Sequence, residues 1–250
     1  MGLRERSLHE RWRRVAMSCH QDRGDEVRQL FSNIFHRYDL VNRVLTAGLD
    51  DYLRRQAVLL AEIQPGSIVV DVGSGTGELA VKAATYLGSE GKVYGVDFCP
   101  PMLQVAQRKV QNRGLQEKVE FVVGDARALP FPDAFADRVL MGFTLRNIPT
   151  YSPVLQEVCR ILKPDGCFVC LDMFQPTGSL LSPFSRFYLH RVVPRLASFF
   201  IPGGEYSYLP TSLLTFPDVG TLRRMFAEVF STVSSRTYLG GTFGILKALR

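Results

Sequence analysis

Apolar residues recur along the first part of the chain with the spacing of a helix. From Val27 to Leu45 they fall at positions 27, 30, 31, 34, 38, 41, 44 and 45, one face of an amphipathic helix that Gly48 ends. A second helix is expected from Asp50 to Ile63, stopped by Pro65-Gly66. Then the texture changes. Ser67 to Val72, SIVVDV, is a short apolar run bounded by Pro-Gly and by glycines, the pattern of a strand buried on both faces. Strands are predicted at 68–72, 93–97, 119–123, 138–143 and 167–172, with helices at 76–87, 101–113 and 153–163 between them. The last helix has Ser152 as N-cap, Pro153 at its first position and a stop at Lys163-Pro-Asp-Gly166. This alternation argues for an α/β fold, a parallel sheet with helices on both faces. After Asp172 the rhythm breaks down. Residues 174–216 are long, irregular and apolar, followed by a helix near 218–228 and strands near 230–238 and 243–249.

Composition narrows the class. A chain of 250 residues, 46% hydrophobic and 22% charged, is an ordinary globular protein with enough length for a sizeable core. The net charge is +6, and residues 1–24 supply half of it through six arginines set against Glu5, Glu10 and Asp22. That leader reads either as a solvated arm or as a segment drawn to anionic lipid headgroups. It lacks the continuous apolar segment of a signal peptide, and MGLRER departs from the myristoylation pattern at Arg6. No run has the length of a membrane span. The five cysteines are odd in number and scattered, so they read as reduced thiols of a cytosolic protein. Cys167 and Cys170 mimic a CxxC motif, but positions i and i+3 of a strand face opposite sides and cannot share a metal or a disulfide. The four histidines have no metal-ligand spacing, so no metal site is expected.

The chemistry lies at the strand ends. In VVDVGSGTGEL, Val69 to Leu79, glycines at 73, 75 and 77 permit a tight turn and a close backbone approach. The spacing is GxGxG, not the GxGxxG of a dinucleotide site. Asp71 sits two residues before the first glycine, where a carboxylate disfavours pyrophosphate and suits a cation such as an amino-acid ammonium. Asp97, 20 residues past Gly77 and followed by Phe98, is placed to accept hydrogen bonds from ribose hydroxyls, or to cap the helix starting at Pro100. Asp125-Ala126 follows the third strand, where the carboxylate could take an exocyclic amine of adenine and the Ala126 N–H a ring nitrogen. Three acid-bearing turns after three successive parallel strands share one edge of the sheet, the edge where such folds bind ligands. Ammonium, ribose and adenine together make S-adenosylmethionine.

Asp71-Val-Gly-Ser-Gly-Thr-Gly77, Asp97, Gly124-Asp125-Ala126 and Leu162-Lys-Pro-Asp-Gly166 resemble the successive motifs of class I S-adenosylmethionine-dependent methyltransferases. Phe35-His-Arg-Tyr-Asp-Leu-Val-Asn42, Ala128-Leu-Pro-Phe-Pro-Asp133 and Phe143-Thr-Leu-Arg-Asn147 narrow the resemblance to the C-methyltransferases of ubiquinone and menaquinone biosynthesis, the UbiE/MenG family. The resemblance covers about residues 27–250 and implies a Rossmann-like, seven-stranded, mostly parallel sheet whose last strand is antiparallel. It places cofactor contacts on Thr76, Asp97, Asp125 and Ala126, and on Gly142, where relatives often carry Ser. It sets Arg146-Asn147 beside a prenylated quinol and Tyr38 in a helix that closes over the cofactor. The chain departs from the family at Asp165, where a glycine is usual, and at Cys99, where a small polar residue is frequent.

The resulting plan has a basic leader at 1–24 and one methyltransferase domain at 25–250. Within the domain, 25–64 is a helical cap, 65–173 the cofactor core, 174–216 a substrate-binding insert and 217–250 a closing helix with two strands. Arg146 is a cation at the end of a buried strand with no acid beside it in sequence. The expected role is to hold a developing phenolate while Asn147 orients the ring and His36 or Asp39 takes the proton. The insert carries nine aromatics and a single acid, Glu205, against Arg186, Arg191 and Arg195. It suits a polyprenyl tail and an anionic membrane surface, or else forms core or a dimer contact. The expected setting is cytoplasm or an organelle matrix, at a membrane surface or within a quinone-biosynthesis complex. Nucleic acid is not an expected partner, because the basic residues cluster in leader and insert without a stacking motif. Rival readings are methylation of another small aromatic or polyketide, a nicotinamide dehydrogenase, and a non-catalytic lipid-binding subunit.

Overall fold

The computed structural model describes Arg43, Thr46, residues 48–175, Arg191 and residues 216–250. The leader, the helix expected at 27–45 apart from Arg43, the residues Tyr38, His36 and Asp39, and nearly all of 176–215 lie outside the described residues.

Helix α1, Asp50–Leu60, starts where the Thr46 Oγ1 accepts the Asp50 N–H at 3.0 Å. It ends short of Ile63 and buries Leu53, Arg54, Ala57 and Val58. Beyond it the strands are β1 (Ile68–Val72), β2 (Lys92–Asp97), β3 (Val119–Val123), β4 (Ala136–Gly142), β5 (Leu162–Met173), β6 (Thr232–Tyr238) and β7 (Phe243–Leu249). They form one sheet in the order β3-β2-β1-β4-β5-β7-β6. The first five strands are mutually parallel, and β7 runs antiparallel to both β5 and β6. The expected seven-stranded, mostly parallel sheet is therefore present, its antiparallel strand inserted between β5 and β6. Helices α2 (Glu78–Ala84), α3 (Pro100–Asn112), α4 (Ser152–Ile161) and α5 (Val219–Ala227) cover it.

Two apolar layers follow from the period-two alternation of the strands. On one face Val69, Leu140, Cys167, Val169 and Leu171 pack with α1 and α2. On the other Val70, Val139, Met141, Phe168 and Cys170 pack with α4 and α5. Cys167 and Cys170 thus lie in opposite layers, and the four described cysteines, Cys99, Cys159, Cys167 and Cys170, are free thiols.

Three local expectations need correction. Helix α2 starts at Glu78, not 76, because Gly77 with φ of 80° is its N-cap. Tyr151, not Ser152, precedes α4, and no side chain caps it; Ser152 is already helical. Lys163-Pro-Asp-Gly166 does not stop the helix, which ends at Ile161. Those residues form a bulge in β5, where Ala136 faces Leu162 and Arg138 faces Cys167, so two steps along β4 span five along β5. Asp165 there has φ of 62°, the left-handed conformation that explains why a glycine would suit this position.

The chain leaves β1 for β2 on one side, and the other neighbour of β1 is β4. Strand order reverses between β1 and β4, which opens a crevice at their carboxyl ends.

Candidate active site

The loop after β1 is locked to its neighbours by backbone bonds. Gly73 and Ser74 both donate their N–H to the Val96 carbonyl, at 2.8 and 2.9 Å, and Gly77 donates to the Ser74 carbonyl at 2.8 Å. Gly73, Gly75 and Gly77 have φ of 69°, 53° and 80°, which explains why the loop is built from glycine. At two of them the crowding comes from the protein itself. A Cβ on Gly73 would lie 2.2 Å from the Thr144 Cγ2, and one on Gly77 would lie 2.9 Å from the Ala106 Cβ. Thr144 also brings its hydroxyl within 3.1 Å of the Gly73 carbonyl, fastening the loop to the end of β4. At Gly142 a Cβ would approach the Leu79 Cδ2 to 3.2 Å, so the serine frequent in relatives needs a small shift of that side chain.

The three expected acids do sit at the carboxyl ends of β1, β2 and β3. Asp71 is 1% exposed; its Oδ2 accepts the Ser74 hydroxyl at 2.8 Å. Its Oδ1 has no donor at bonding distance, although the Ala80 N–H is near enough to favour the charged form. Burial, opposed by Ser74 and Ala80 and aided by the nearby Asp97, pushes the Asp71 carboxyl up to about 7. Asp97 accepts the Gly75 N–H on Oδ2 at 2.8 Å and the Cys99 N–H on Oδ1 at 2.9 Å. It therefore ties the glycine loop to the start of α3, and burial raises its carboxyl to about 6 despite these donors. Asp125 behaves differently. Burial works to raise it, but Arg127, through side-chain and backbone hydrogen bonds and its charge, holds it below the usual carboxylate value. Its bond to the Arg127 Nη2 measures 2.8 Å. Thr76 is buried, and Phe98 and Ala126 are half-buried at the same edge.

The cation expected at the end of β4 has a partner that the sequence reading missed. Arg146 lies in a short 3-10 turn, Leu145–Asn147, and donates from Nη1 to the Asp172 Oδ1 at 2.5 Å and from its backbone N–H to Oδ2 at 3.1 Å. Asp172 is fully buried near the end of β5 and also accepts the Met173 N–H at 2.8 Å. Its charge, after burial, contributes to raising the Tyr151 phenol, which places Tyr151 in the same electrostatic neighbourhood. Asn147 donates from Nδ2 to the Phe143 carbonyl at 3.2 Å. Phe143 has φ of 59°, a strained backbone for a bulky residue, and this turns the chain out of β4 into the arginine-bearing turn.

The described site thus unites Asp71, Gly73, Gly75, Thr76, Gly77, Asp97, Phe98, Asp125, Ala126, Gly142, Arg146 and Asn147 along one sheet edge. Four participants were not anticipated: Ser74, Thr144, Asp172 and Arg54, whose charge acts on Asp71. The signal for Asp172 was available, since it is a fourth acid near the carboxyl end of a parallel strand. The signal for Arg54 was its helical spacing with Ala57, Val58 and Ala61, which sets a cation on a buried face.

Among known proteins, the model of the ubiE/COQ5 methyltransferase family matches residues 16–249. A demethylmenaquinone methyltransferase of Shouchella clausii is 36% identical over 88% of this chain and 94% of its own length. A ubiquinone/menaquinone biosynthesis C-methyltransferase of Geobacter sulfurreducens is 34% identical over 93% of this chain and 90% of its own. In three dimensions the chain is similar to a SAM-dependent methyltransferase from Aquifex aeolicus, with a TM-score of 0.54, 20% identity and coverage of 75% and 84%.

Proposed function

The chain belongs to the ubiE/COQ5 methyltransferase family, and from that premise we propose that it transfers a methyl group from S-adenosylmethionine to a ring carbon of a prenylated quinol, demethylmenaquinol or a ubiquinol precursor. The observation that carries this reading is the edge itself, where acids buried at the carboxyl ends of β1 and β2 share one side of the sheet with a buried arginine just beyond β4. The fit to the cofactor rests on chemistry that the crevice offers. Asp71 has a buried oxygen without a donor, suited to an ammonium. Asp97 is an acceptor at the strand end next to the glycine loop, suited to ribose hydroxyls. Asp125 and the Ala126 N–H are the candidates for adenine, with Thr76, Phe98 and Gly142 lining the approach.

When bound, the sulfonium supplies an already activated methyl group. What remains for the protein is alignment and an electron-rich carbon. A hydroquinone carbon gains nucleophilicity as the adjacent hydroxyl loses its proton, and an unperturbed phenol has a pKa of about 10. A guanidinium beside that oxygen stabilises the phenolate. Arg146 is the group for this role, with Asp172 holding its guanidinium through Nη1 and its turn through the Arg146 backbone N–H. Arginine cannot serve as the base, because its pKa exceeds about 12. Asn147 braces the turn that presents Arg146. Tyr38, His36 and Asp39 lie outside the described residues and stay candidates for closure and proton transfer.

Among the described residues no helix is long and apolar enough to cross a membrane. The arginine-rich leader and the aromatic, cationic stretch 174–216 support a reading in which the protein meets its substrate at an anionic membrane surface. Mass spectrometry of quinones from cells lacking this protein tests the function: the pool should be short of one methyl group and regain it when the gene is restored. A quinone pool of unchanged mass would sink the proposal.

A further inference from the structure

Helix α1 carries a cation on the face it turns toward the sheet. Arg54 is 6% exposed, between Leu53 and the buried Ala57 and Val58. Its Nη1 donates to the Asp50 Oδ2 at 2.8 Å, and its guanidinium carbon stands 5.1 Å from the centre of the Phe143 ring. A guanidinium has five N–H donors in a planar fork, and Asp50 takes one direction of it. An i,i+4 ion pair stabilises a helix by only a few tenths of a kcal/mol, which does not account for burying the cation.

The location gives the reason. Phe143 immediately follows Gly142 at the end of β4, the neighbour of β1 in the sheet. Arg54 is also the cation whose charge reaches Asp71 at the end of β1. Yet Arg54 and Asp71 are not bonded to each other: Arg54 pairs with Asp50, and Asp71 leaves one buried oxygen without a donor. A buried anion and a buried cation, close but separate, flank the start of the glycine loop. An α-amino acid presents the complementary pair, an ammonium and a carboxylate on one carbon.

We propose that Arg54 binds the carboxylate of the amino-acid end of the cofactor, opposite Asp71 at the ammonium. This rests on the cofactor site proposed above and assigns it a residue that no motif in the chain marks. The Phe143 ring holds the guanidinium from behind, and Asp50 fixes one edge of the fork, leaving the other edge to pair with a carboxylate in bidentate fashion. The strained backbone of Phe143 then has a use, since it sets the ring against Arg54.

The test is calorimetric titration of the full chain with two ligands. S-adenosylhomocysteine carries both charges, whereas S-adenosyl-3-thiopropylamine lacks only the carboxylate. In the unaltered protein the first should bind more tightly than the second. Arg54→Gln should weaken S-adenosylhomocysteine about tenfold or more, while the amine analogue changes less than about twofold. Arg54→Lys, which keeps the charge and loses the fork, should fall between. An Arg54→Gln protein that binds S-adenosylhomocysteine normally overturns the assignment. So does one that loses both ligands equally, which marks a structural role. Failure of the unaltered protein to bind S-adenosylhomocysteine at all is a different result: it removes the cofactor site itself, and this inference with it.

Discussion

The two sides of the crevice hold charge in opposite ways. On the β1–β2 side, Asp71 and Asp97 are buried acids that take part in no ion pair among the described residues; a serine hydroxyl and backbone N–H groups hold them. On the β4–β5 side, Arg146 and Asp172 are equally buried and neutralise each other at 2.5 Å. The first arrangement leaves carboxyl groups pushed up to about 7 and 6, and in the proposed function a positive ligand supplies the missing charge. The second is balanced in charge without a ligand, so its value lies in fixing where a guanidinium points. In the proposed function one side is a receptor and the other a brace.

The sharpest way to break this contrast is to neutralise one acid on each side. Asp172→Asn leaves Arg146 as a buried cation without its counter-ion, a change that destabilises by about 3–5 kcal/mol. For a chain of this size that is a fall in melting temperature of about 6–20 °C. Asp71→Asn removes a buried charge that the fold does not neutralise. Its melting temperature above neutral pH should be unchanged or higher while cofactor binding is weakened. Equal destabilisation by the two substitutions in thermal denaturation would erase the distinction.

A second measurement asks whether the brace serves catalysis. Arg146→Lys keeps the positive charge but cannot bond Asp172 and face a phenolate in the same plane. Its kcat should fall on the order of a hundredfold, with affinity for S-adenosylhomocysteine nearly unchanged. An unaltered kcat would show that the guanidinium fork has no part in the reaction. On the receptor side, Asp97→Asn should weaken S-adenosylhomocysteine about tenfold to a hundredfold, the loss of a charged acceptor worth about 1.5–3 kcal/mol.

The two sides also differed in how far the sequence revealed them. The receptor side was legible because its elements are local: an acid, a glycine turn and a strand end lie within a few residues of one another, and parallel strands bring such turns to one edge by rule. The brace was only half legible. Arg146 was visible as a cation after an apolar run, but its partner is 26 residues away and is placed by the pairing of β4 with β5. Register across a parallel crossover is set by packing, not by any adjacent motif. The same holds for Thr144, whose contact with Gly73 spans 71 residues. Helix boundaries slipped for a different reason: at Gly77 and Tyr151 the backbone geometry, not the favoured capping side chain, determined where the helix began.

The smallest expected effect is also the one that tests the receptor side most directly. Burial raises Asp71 to about 7 and Asp97 to about 6, both above their unfolded value of 3.8. The sign for stability follows. The folded protein holds these protons more tightly than the unfolded chain, so their contribution is fully present below about pH 4 and is lost as pH rises through 6 and then 7. A ligand whose ammonium meets Asp71 and whose ribose hydroxyls donate to Asp97 needs the opposite form, the charged carboxylates. Its affinity must therefore rise over the same interval in which the ligand-free fold loses this contribution. For S-adenosylhomocysteine the gain between about pH 6 and pH 8 should be about ten- to twentyfold, about tenfold from Asp71 and about twofold from Asp97. Asp71→Asn should flatten the upper part of the profile and leave the lower part, which belongs to Asp97. Calorimetry in buffers of different ionisation enthalpy counts the protons released. A flat affinity profile with no proton release would mean that neither carboxylate meets the ligand's charge, and the receptor side would then be no more than a buried turn.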